Sequence, residues 1–493
     1  MIEPVADIAV IGLAVMGQNL ILNMNDHGFV VCAFNRTVQK VEEFLSNEAK
    51  NTKIVGAKSL EQMVHLLKRP RRIMLLVKAG NAVEDMIDKI IPLLETGDII
   101  IDGGNSDYHD SNRRFEELSK KGICFVGSGV SGGEEGARFG PSLMPGGSIQ
   151  AWDHLKPIFQ GIAAKAPDGQ PCCEWVGTAG SGHFVKMVHN GIEYGDMQLI
   201  CEAFHLMSQG LGLDFDKMAE IFEDWNKGEL DSFLIEITAK ILRYRDESGE
   251  PLVPKILDSA QQHIPDRWKG TGKWTGIAAL EYGIPVTLIA EAVFARCLSA
   301  LKEQRVSASK LLPGPHKNAN ELIKDMNAFV KDIGKALYAS KVVSYAQGFM
   351  LLSEASAHFN WGLDYGAIAM MWRGGCIIRS RFLGRIKTAF EKNPKLVNLL
   401  LDDFFLDAIK NAQNSWREVI ATAVQLGIPM PAFSAALAFF DGYRSEVLPA
   451  NLLQAQRDYF GAHCYELLSN PGTALHTNWT GKGGRVTSNA YSA

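Results

Sequence analysis

The chain has no run of roughly eighteen apolar residues, the length a membrane-spanning helix needs, so no segment reads as transmembrane. No charged-then-apolar leader opens it, and a soluble protein made without export, resident in the cytoplasm, is expected. Cysteine is scarce: eight in 493 residues, with an adjacent pair at Cys172 and Cys173 but no Cys-x-x-Cys. That excludes a disulfide framework and fits reduced thiols. A large excess of one charge is also missing. The net charge of −5 is spread along the chain, which argues against a nucleic-acid surface and leaves anion recognition to local clusters. The usual His, Cys, Asp and Glu ligand spacings are absent, so no metal site is expected.

What is present is ample material for more than one core, since single cores stop growing at roughly 250–300 residues. The first segment alternates short β-branched runs with helical stretches. Its clearest strands are Asp7–Ile11, Val30–Phe34, Arg72–Val77, Asp98–Ile101 and Cys124–Val126, and this alternation predicts a Rossmann-like, doubly wound parallel sheet with helices on both faces. Near Thr178–Gly182 the pattern changes to helical spacing. The expected division is therefore a sheet domain at 1–178, a large all-helical domain at 179–448 and a polar, glycine-rich tail at 449–493.

The helical part carries an internal duplication. Leu199 to Ala203, Gly212 to Phe215 and Trp225 to Gly228 recur in order as Leu351 to Ala355, Gly362 to Tyr365 and Trp372 to Gly374. Gly283-Ile-Pro285 recurs likewise as Gly427-Ile-Pro429, each followed by an apolar helix. Two related helical units packed on each other are expected, although generic amphipathic similarity gives a weaker form of the same pattern.

Gly12, Leu13, Ala14, Val15, Met16 and Gly17 follow the first strand and open a helix, where a dinucleotide pyrophosphate would meet backbone N–H groups. The middle glycine of the usual fingerprint is alanine here, and a plain tight turn would look similar. About twenty residues on, where an NAD enzyme places an acid on the ribose, stand Asn35, Arg36 and Thr37. A guanidinium and a hydroxyl suit a 2′-phosphate, so NADP is the expected cofactor; a solvated loop cation is the plainer alternative for Arg36. Val77, Lys78 and Ala79 close a later strand at the same sheet edge. Asn105, in Asp102-Gly-Gly-Asn105-Ser106, and Ser131, Gly132 and Gly133 follow two further strands, where hydroxyl-binding groups and close backbone approach suit a polyol. On a helix, Lys186, His189 or Asn190, and Glu193 or Tyr194 project together, placing a base and an acid in one cleft. Oxidising a hydroxyl needs a base, for which a desolvated lysine serves, and releasing carbon dioxide from the resulting ketone needs an acid for the enediol carbon. By itself the same spacing also describes an exposed charged face.

At these residues the chain resembles the 6-phosphogluconate dehydrogenases, the decarboxylating enzymes of the pentose phosphate pathway, over essentially its whole length. To the motifs above the resemblance adds Lys269-Gly-Thr-Gly-Lys-Trp274 and Gln456-Arg457-Asp-Tyr-Phe-Gly-Ala-His463. It implies Lys186 as base and later acid, and Glu193 as the acid that protonates the enediol carbon. It implies substrate contacts from Asn105, Ser131, Gly132, Gly133, His189, Asn190, Tyr194, Lys269 and Arg296. Arg457 and His463 match a tail that reaches the partner subunit's site in a homodimer. Ser488, Asn489, Ala490 and Tyr491 would close over NADP, which Asn105 also touches. One departure is the stretch His263 to Trp268, which intervenes where the family passes almost directly into the lysine motif. A dehydrogenase for other 3-hydroxyacids that does not decarboxylate, and a silent NADP-binding protein, are the competing readings.

Overall fold

The computed structural model describes residues 4–260 and 270–483. They form two compact units, residues 1–437 and 438–493. The first unit opens with a seven-stranded sheet: β1 (Ile8–Ile11), β2 (Val31–Phe34), β3 (Val55–Gly56), β4 (Arg72–Leu75), β5 (Ile99–Asp102), β6 (Cys124–Ser131) and β7 (Ser142–Gly147). Their spatial order is β3-β2-β1-β4-β5-β6-β7; the first six run parallel and β7 closes the edge antiparallel to β6. Successive side chains point to opposite faces of a strand, and here both faces are covered. Ile8, Val10, Ile99 and Ile101 enter one apolar cluster, while Ala9, Ile11 and Ile100 enter another on the far side. That double burial is why the strands read as unbroken apolar runs.

All five expected strands shift: three start one residue later, at Ile8, Val31 and Ile99, the last also ending one residue later at Asp102, and two differ by more. The Arg72 strand ends at Leu75, so Val77, Lys78 and Ala79 lie in the loop after it. The Cys124 strand continues to Ser131, because β7 pairs with it through Ser131 and Ser142.

Beyond Gly180 the described residues of this unit are helical or irregular. The helices that matter below are α1 (Val15–Asp26), α2 (Ser181–His205), α3 (Phe215–Trp225), α4 (Thr271–Glu281), α5 (Thr287–Ser299), α6 (Met326–Phe359), α7 (Tyr365–Met371) and α8 (Pro431–Tyr443). The sequence duplication is a repeat of structure. Each copy has a long helix, α2 or α6, then a left-handed glycine, Gly212 or Gly362, then a short helix capped by an aspartate. Asp214 accepts the N–H of Lys217 at 2.7 Å and Asp364 that of Ala367 at 2.9 Å. The copies cap each other's last helix. Glu202 on α2 accepts the N–H groups of Ala432 and Phe433 at the start of α8, and Gln347 on α6 accepts that of Leu288 at the start of α5.

Helices α2 and α6 pack closely through small residues. A Cβ on Gly195 would sit 2.6 Å from Ser344 Oγ, and one on Gly348 would sit 2.6 Å from Ile192 Cδ1. A buried ion pair, Lys341 to Asp196 at 2.5 Å, crosses the same seam. All eight cysteines are free thiols. Among the described residues no helix is long and apolar enough to cross a membrane.

The second unit contains the end of α8, helix α9 (Ala450–Gly461) and an antiparallel hairpin, β8 (Tyr465–Leu467) with β9 (Asn470–Leu475). Its buried centre is polar: Asp458, wholly inaccessible.

Candidate active site

The turn after β1 is set by backbone sterics. Gly12 has φ of +115°, and a Cβ there would lie 2.3 Å from Leu76 O; one on Gly17 would lie 1.9 Å from Gly12 O. Neither position admits a side chain. Ala14 is the N-cap of α1 with φ of −80° and is exposed, so alanine fits where the fingerprint usually has glycine. No side chain caps α1, which leaves its first amides, beside exposed Ala14 and Val15, available to a phosphate. Leu13 and Met16 turn inward from the same loop. Asn35 braces the turn: its Oδ1 accepts the Leu13 N–H at 3.3 Å and its Nδ2 donates to Thr37 O at 3.2 Å. Arg36 and Thr37 are exposed just past β2, and Lys78 is exposed past β4. Uncapped amides and a guanidinium with no acid at the ribose position fit a dinucleotide that carries a 2′-phosphate.

The loop after β5 hangs on one carboxylate. Asp102, wholly buried, accepts the Gly104 N–H at 3.1 Å, the Ser106 hydroxyl at 2.6 Å and Arg114 Nη1 at 2.9 Å. Asn105 sits between the two tethered residues and faces solvent.

Opposite this edge lies α2, seated directly on the backbone of β6. A Cβ on Gly129 would fall 2.3 Å from Lys186 Cβ, and one on Gly127 would fall 2.7 Å from His183 Nδ1. The contact buries Lys186 to 5% exposure. Asn190 Nδ2 donates to Thr271 Oγ1 at 2.8 Å, which turns Asn190 Oδ1 toward His189 Nδ1 at 2.9 Å. His189 therefore carries its proton on Nδ1, and its Nε2 accepts from Ser131 Oγ at 3.4 Å. Burial and the neighbouring Lys186 hold His189 well below the usual imidazole range, hence neutral. It stands between the base and acid candidates, 3.5 Å from Lys186 Nζ and 3.9 Å from Glu193 Oε2.

Burial brings Lys186 down to about 8, against the opposing pull of Glu193. Burial raises Glu193 above the ordinary carboxylate range, although Lys186 and Arg296 pull it back. The two groups are thus displaced toward each other, the amine toward its uncharged form and the carboxyl toward its protonated form. The Arg296 guanidinium lies 3.5 Å over the Tyr194 ring, whose other surroundings include Gly272, where a Cβ would come within 2.5 Å of the ring.

The structure thus brings Ser131, Lys186, His189, Asn190, Glu193, Tyr194 and Arg296 together. Gly132, with φ of +114°, caps the helix Gly133–Phe139 beside them, and Gly133 is exposed. Lys269, the stretch His263 to Trp268, and Ser488, Asn489, Ala490 and Tyr491 lie outside the described residues. Arg457 and His463 belong to the second unit. Among the described residues no group of three His, Cys, Asp or Glu is placed to hold a metal.

Comparison with known proteins bears on both halves of this arrangement. The model for the NAD binding domain of 6-phosphogluconate dehydrogenase matches residues 7–177, and the model for 6-phosphogluconate dehydrogenase, C-terminal domain, matches residues 182–479. The decarboxylating 6-phosphogluconate dehydrogenases of Caenorhabditis elegans and Homo sapiens are 73% and 69% identical to this chain, over 99% of its length and of theirs. The chain belongs to the 6-phosphogluconate dehydrogenase family. A solved structure of the Plasmodium falciparum 6-phosphogluconate dehydrogenase superposes with a TM-score of 0.89 at 46% identity, covering 96% of this chain and all of that one. That protein is described in its apo form, with its cofactor NADP+ and with its substrate 6-phosphogluconate.

For a 6-phosphogluconate dehydrogenase, the supporting residues that sequence reading passed over are instructive. Thr271 orients Asn190, and Thr275 Oγ1 donates to Met187 O at 2.9 Å, tying α4 to α2. Trp372 meets His189 edge-on with ring centres 5.7 Å apart. The duplication had marked Trp372 as a repeat position, but nothing local linked it to the histidine.

Proposed function

We propose that this chain oxidises and decarboxylates 6-phosphogluconate with NADP as acceptor, giving ribulose 5-phosphate, carbon dioxide and NADPH. The observation that carries the chemistry is Lys186, buried against Gly129 with its pKa brought to about 8 and a neutral His189 between it and Glu193. Bound NADP supplies a hydride acceptor. Uncharged Lys186 Nζ takes the proton of the hydroxyl whose carbon loses that hydride. The ketone formed lies β to the carboxylate, and the Lys186 ammonium then donates to the ketone oxygen as the C–C bond to the carboxylate breaks. Protonated Glu193 delivers a proton to the enediol carbon. Asn105, Ser131, Gly132, Gly133, His189, Asn190 and Tyr194 contact the substrate, and Lys269, Arg296 and Arg457 receive its phosphate through charge-assisted bonds. Residues 12–17, 35–37, 77–79, Asn105 and 488–491 hold NADP.

In this reading residues 1–178 are the NADP domain, 179–448 the substrate and dimerisation domain, and 449–493 a tail whose Arg457 and His463 complete the site of the partner subunit in a cytoplasmic homodimer. The test follows reduced nicotinamide with 6-phosphogluconate and NADP in the presence of a chelator, with carbon dioxide trapped and NAD in parallel. Rapid NADP reduction with one carbon dioxide per turnover is expected, and Arg36→Asp should lower kcat/KM for NADP by about 100-fold by removing a charge-assisted phosphate contact. Reduction without carbon dioxide would refute the decarboxylation, and an unchanged NADP preference in the variant would refute the role of Arg36.

A further inference from the structure

The second unit is organised by a single carboxylate. Asp458 is wholly inaccessible in a segment whose residues are otherwise mostly exposed. Its Oδ1 accepts the Cys464 N–H at 3.0 Å and His476 Nδ1 at 2.9 Å. Its Oδ2 accepts the Thr477 N–H at 3.0 Å and Trp479 Nε1 at 2.9 Å. Four donors fill the acceptor sites of one carboxylate and join the end of α9, the entry to β8 and the strand exit beyond β9. Burial would raise its pKa, but the bonds from Thr477, His476 and Trp479 outweigh that and hold it at about 2.

The turn that this carboxylate closes is strained. Ala462 has φ of +52° and Cys464 φ of +63°, two non-glycine residues in the left-handed region, and they flank His463. Such strain persists only where surrounding bonds over-determine it, and it gathers at functional positions. The imidazole between them is held as well. It folds over Gly461, where a Cβ would come within 2.5 Å of Nε2, and meets Phe460 edge-on with ring centres 6.0 Å apart. Arg457, the residue before Asp458, donates to Gln454 Oε1 at 2.9 Å.

We propose that Asp458 is a positioning residue for the reaction: it holds the Ala462–Cys464 turn in its left-handed form and so presents His463 and Arg457 as a preformed pair to the substrate. The inference rests on the reading above that those two residues bind substrate. It identifies a residue that touches no reactant, yet sets how much of the binding energy must go into ordering the tail.

The decisive variant is Asp458→Asn, which keeps the volume but turns an amide N–H₂ toward two of the four donors. Expected is a rise in KM for 6-phosphogluconate of about 100-fold with kcat changed little, since a binding contact is disordered rather than a proton-transfer group. Adding Ala462→Gly and Cys464→Gly should recover part of that loss, because glycine takes the same φ without strain. Trp479→Phe removes one donor and leaves residues 457–464 intact; it should raise KM severalfold in the same manner, and serves if Asp458→Asn does not fold. His463→Ala is measured alone and with Asp458→Asn. If Asp458 acts through the turn, the double variant loses less than the product of the two single losses, the remaining extra loss coming from Arg457. Unchanged KM in both Asp458→Asn and Trp479→Phe, or losses that simply multiply in the double variant, would overturn the proposal. Unchanged KM in His463→Ala would instead overturn the substrate role of the tail, and the proposal with it.

Discussion

Lys186 is the residue where stability and chemistry pull in opposite directions. The unfolded chain holds its ammonium proton up to about pH 10.5, whereas in the fold burial brings that value to about 8. Folding must therefore bear the desolvation of a charge at all pH below about 8, and this penalty fades as pH rises from 8 to 10.5. A displacement of this size corresponds to roughly 3 kcal/mol. Lys186→Met keeps the stem and removes the charge, so at pH 7 the variant should be more stable by up to that amount, with a melting temperature several degrees higher and a gain that vanishes toward pH 10.5. Its turnover should fall by about 10³-fold or more, as expected for loss of a general base. Calorimetry across this pH range, beside steady-state kinetics, checks both halves; a lower melting temperature at pH 7 would mean that the buried amine stabilises the fold. In the parent enzyme kcat/KM should climb with pH through about 8 as Lys186 loses its proton.

At the scale of elements, the site depends on how closely α2 approaches β6. Gly129→Ala would put a methyl 2.3 Å from Lys186 Cβ, with no flexible chain end able to yield, so helix and strand must separate. Overpacking of this kind costs about 1–3 kcal/mol, and a displacement near 1 Å at the base should lower kcat by about 100-fold. Urea unfolding and kinetics measure these; NADP affinity, set at the other strand ends, should hold. A variant with normal kcat would show that the contact does not place the lysine.

The same contact explains what was and was not legible in the sequence. The central strands could be read because burial on both faces makes them apolar throughout, and the Lys186–Tyr194 face because helical spacing is local. β7 could not, since Ser142–Gly147 contains no β-branched residue and ends in Pro145, Gly146 and Gly147, a turn-like composition held in strand form by its pairing with β6. Gly127 and Gly129 likewise look like loop glycines, but they are strand positions cleared for a helix. Ser131 and His189 are 58 residues apart and Asn190 and Thr271 are 81 apart, and no local pattern announces either contact.

For the whole molecule, the question is which chain's tail serves which site. The second unit has its own scaffold in Asp458 and the β8–β9 hairpin, and Lys186, the proposed base, lies in the first unit. A two-fold dimer repeats every contact, so a tail that serves the partner on one side does so on the other. Lys186→Met chains, inactive alone, and His463→Ala chains, nearly so when assayed at 6-phosphogluconate far below their raised KM, can be mixed and allowed to exchange subunits. If the tail acts across the interface, a mixed dimer has one site with both lesions and one with neither. Random pairing then restores about a quarter of parental activity, since half the dimers are mixed and each has one intact site. If the tail folds onto its own chain's site, each site in the mixed dimer has one lesion and nothing is recovered. Deleting residues after Pro449 should abolish activity in either case, while mixing that truncated chain with Lys186→Met chains restores activity only for a tail that crosses.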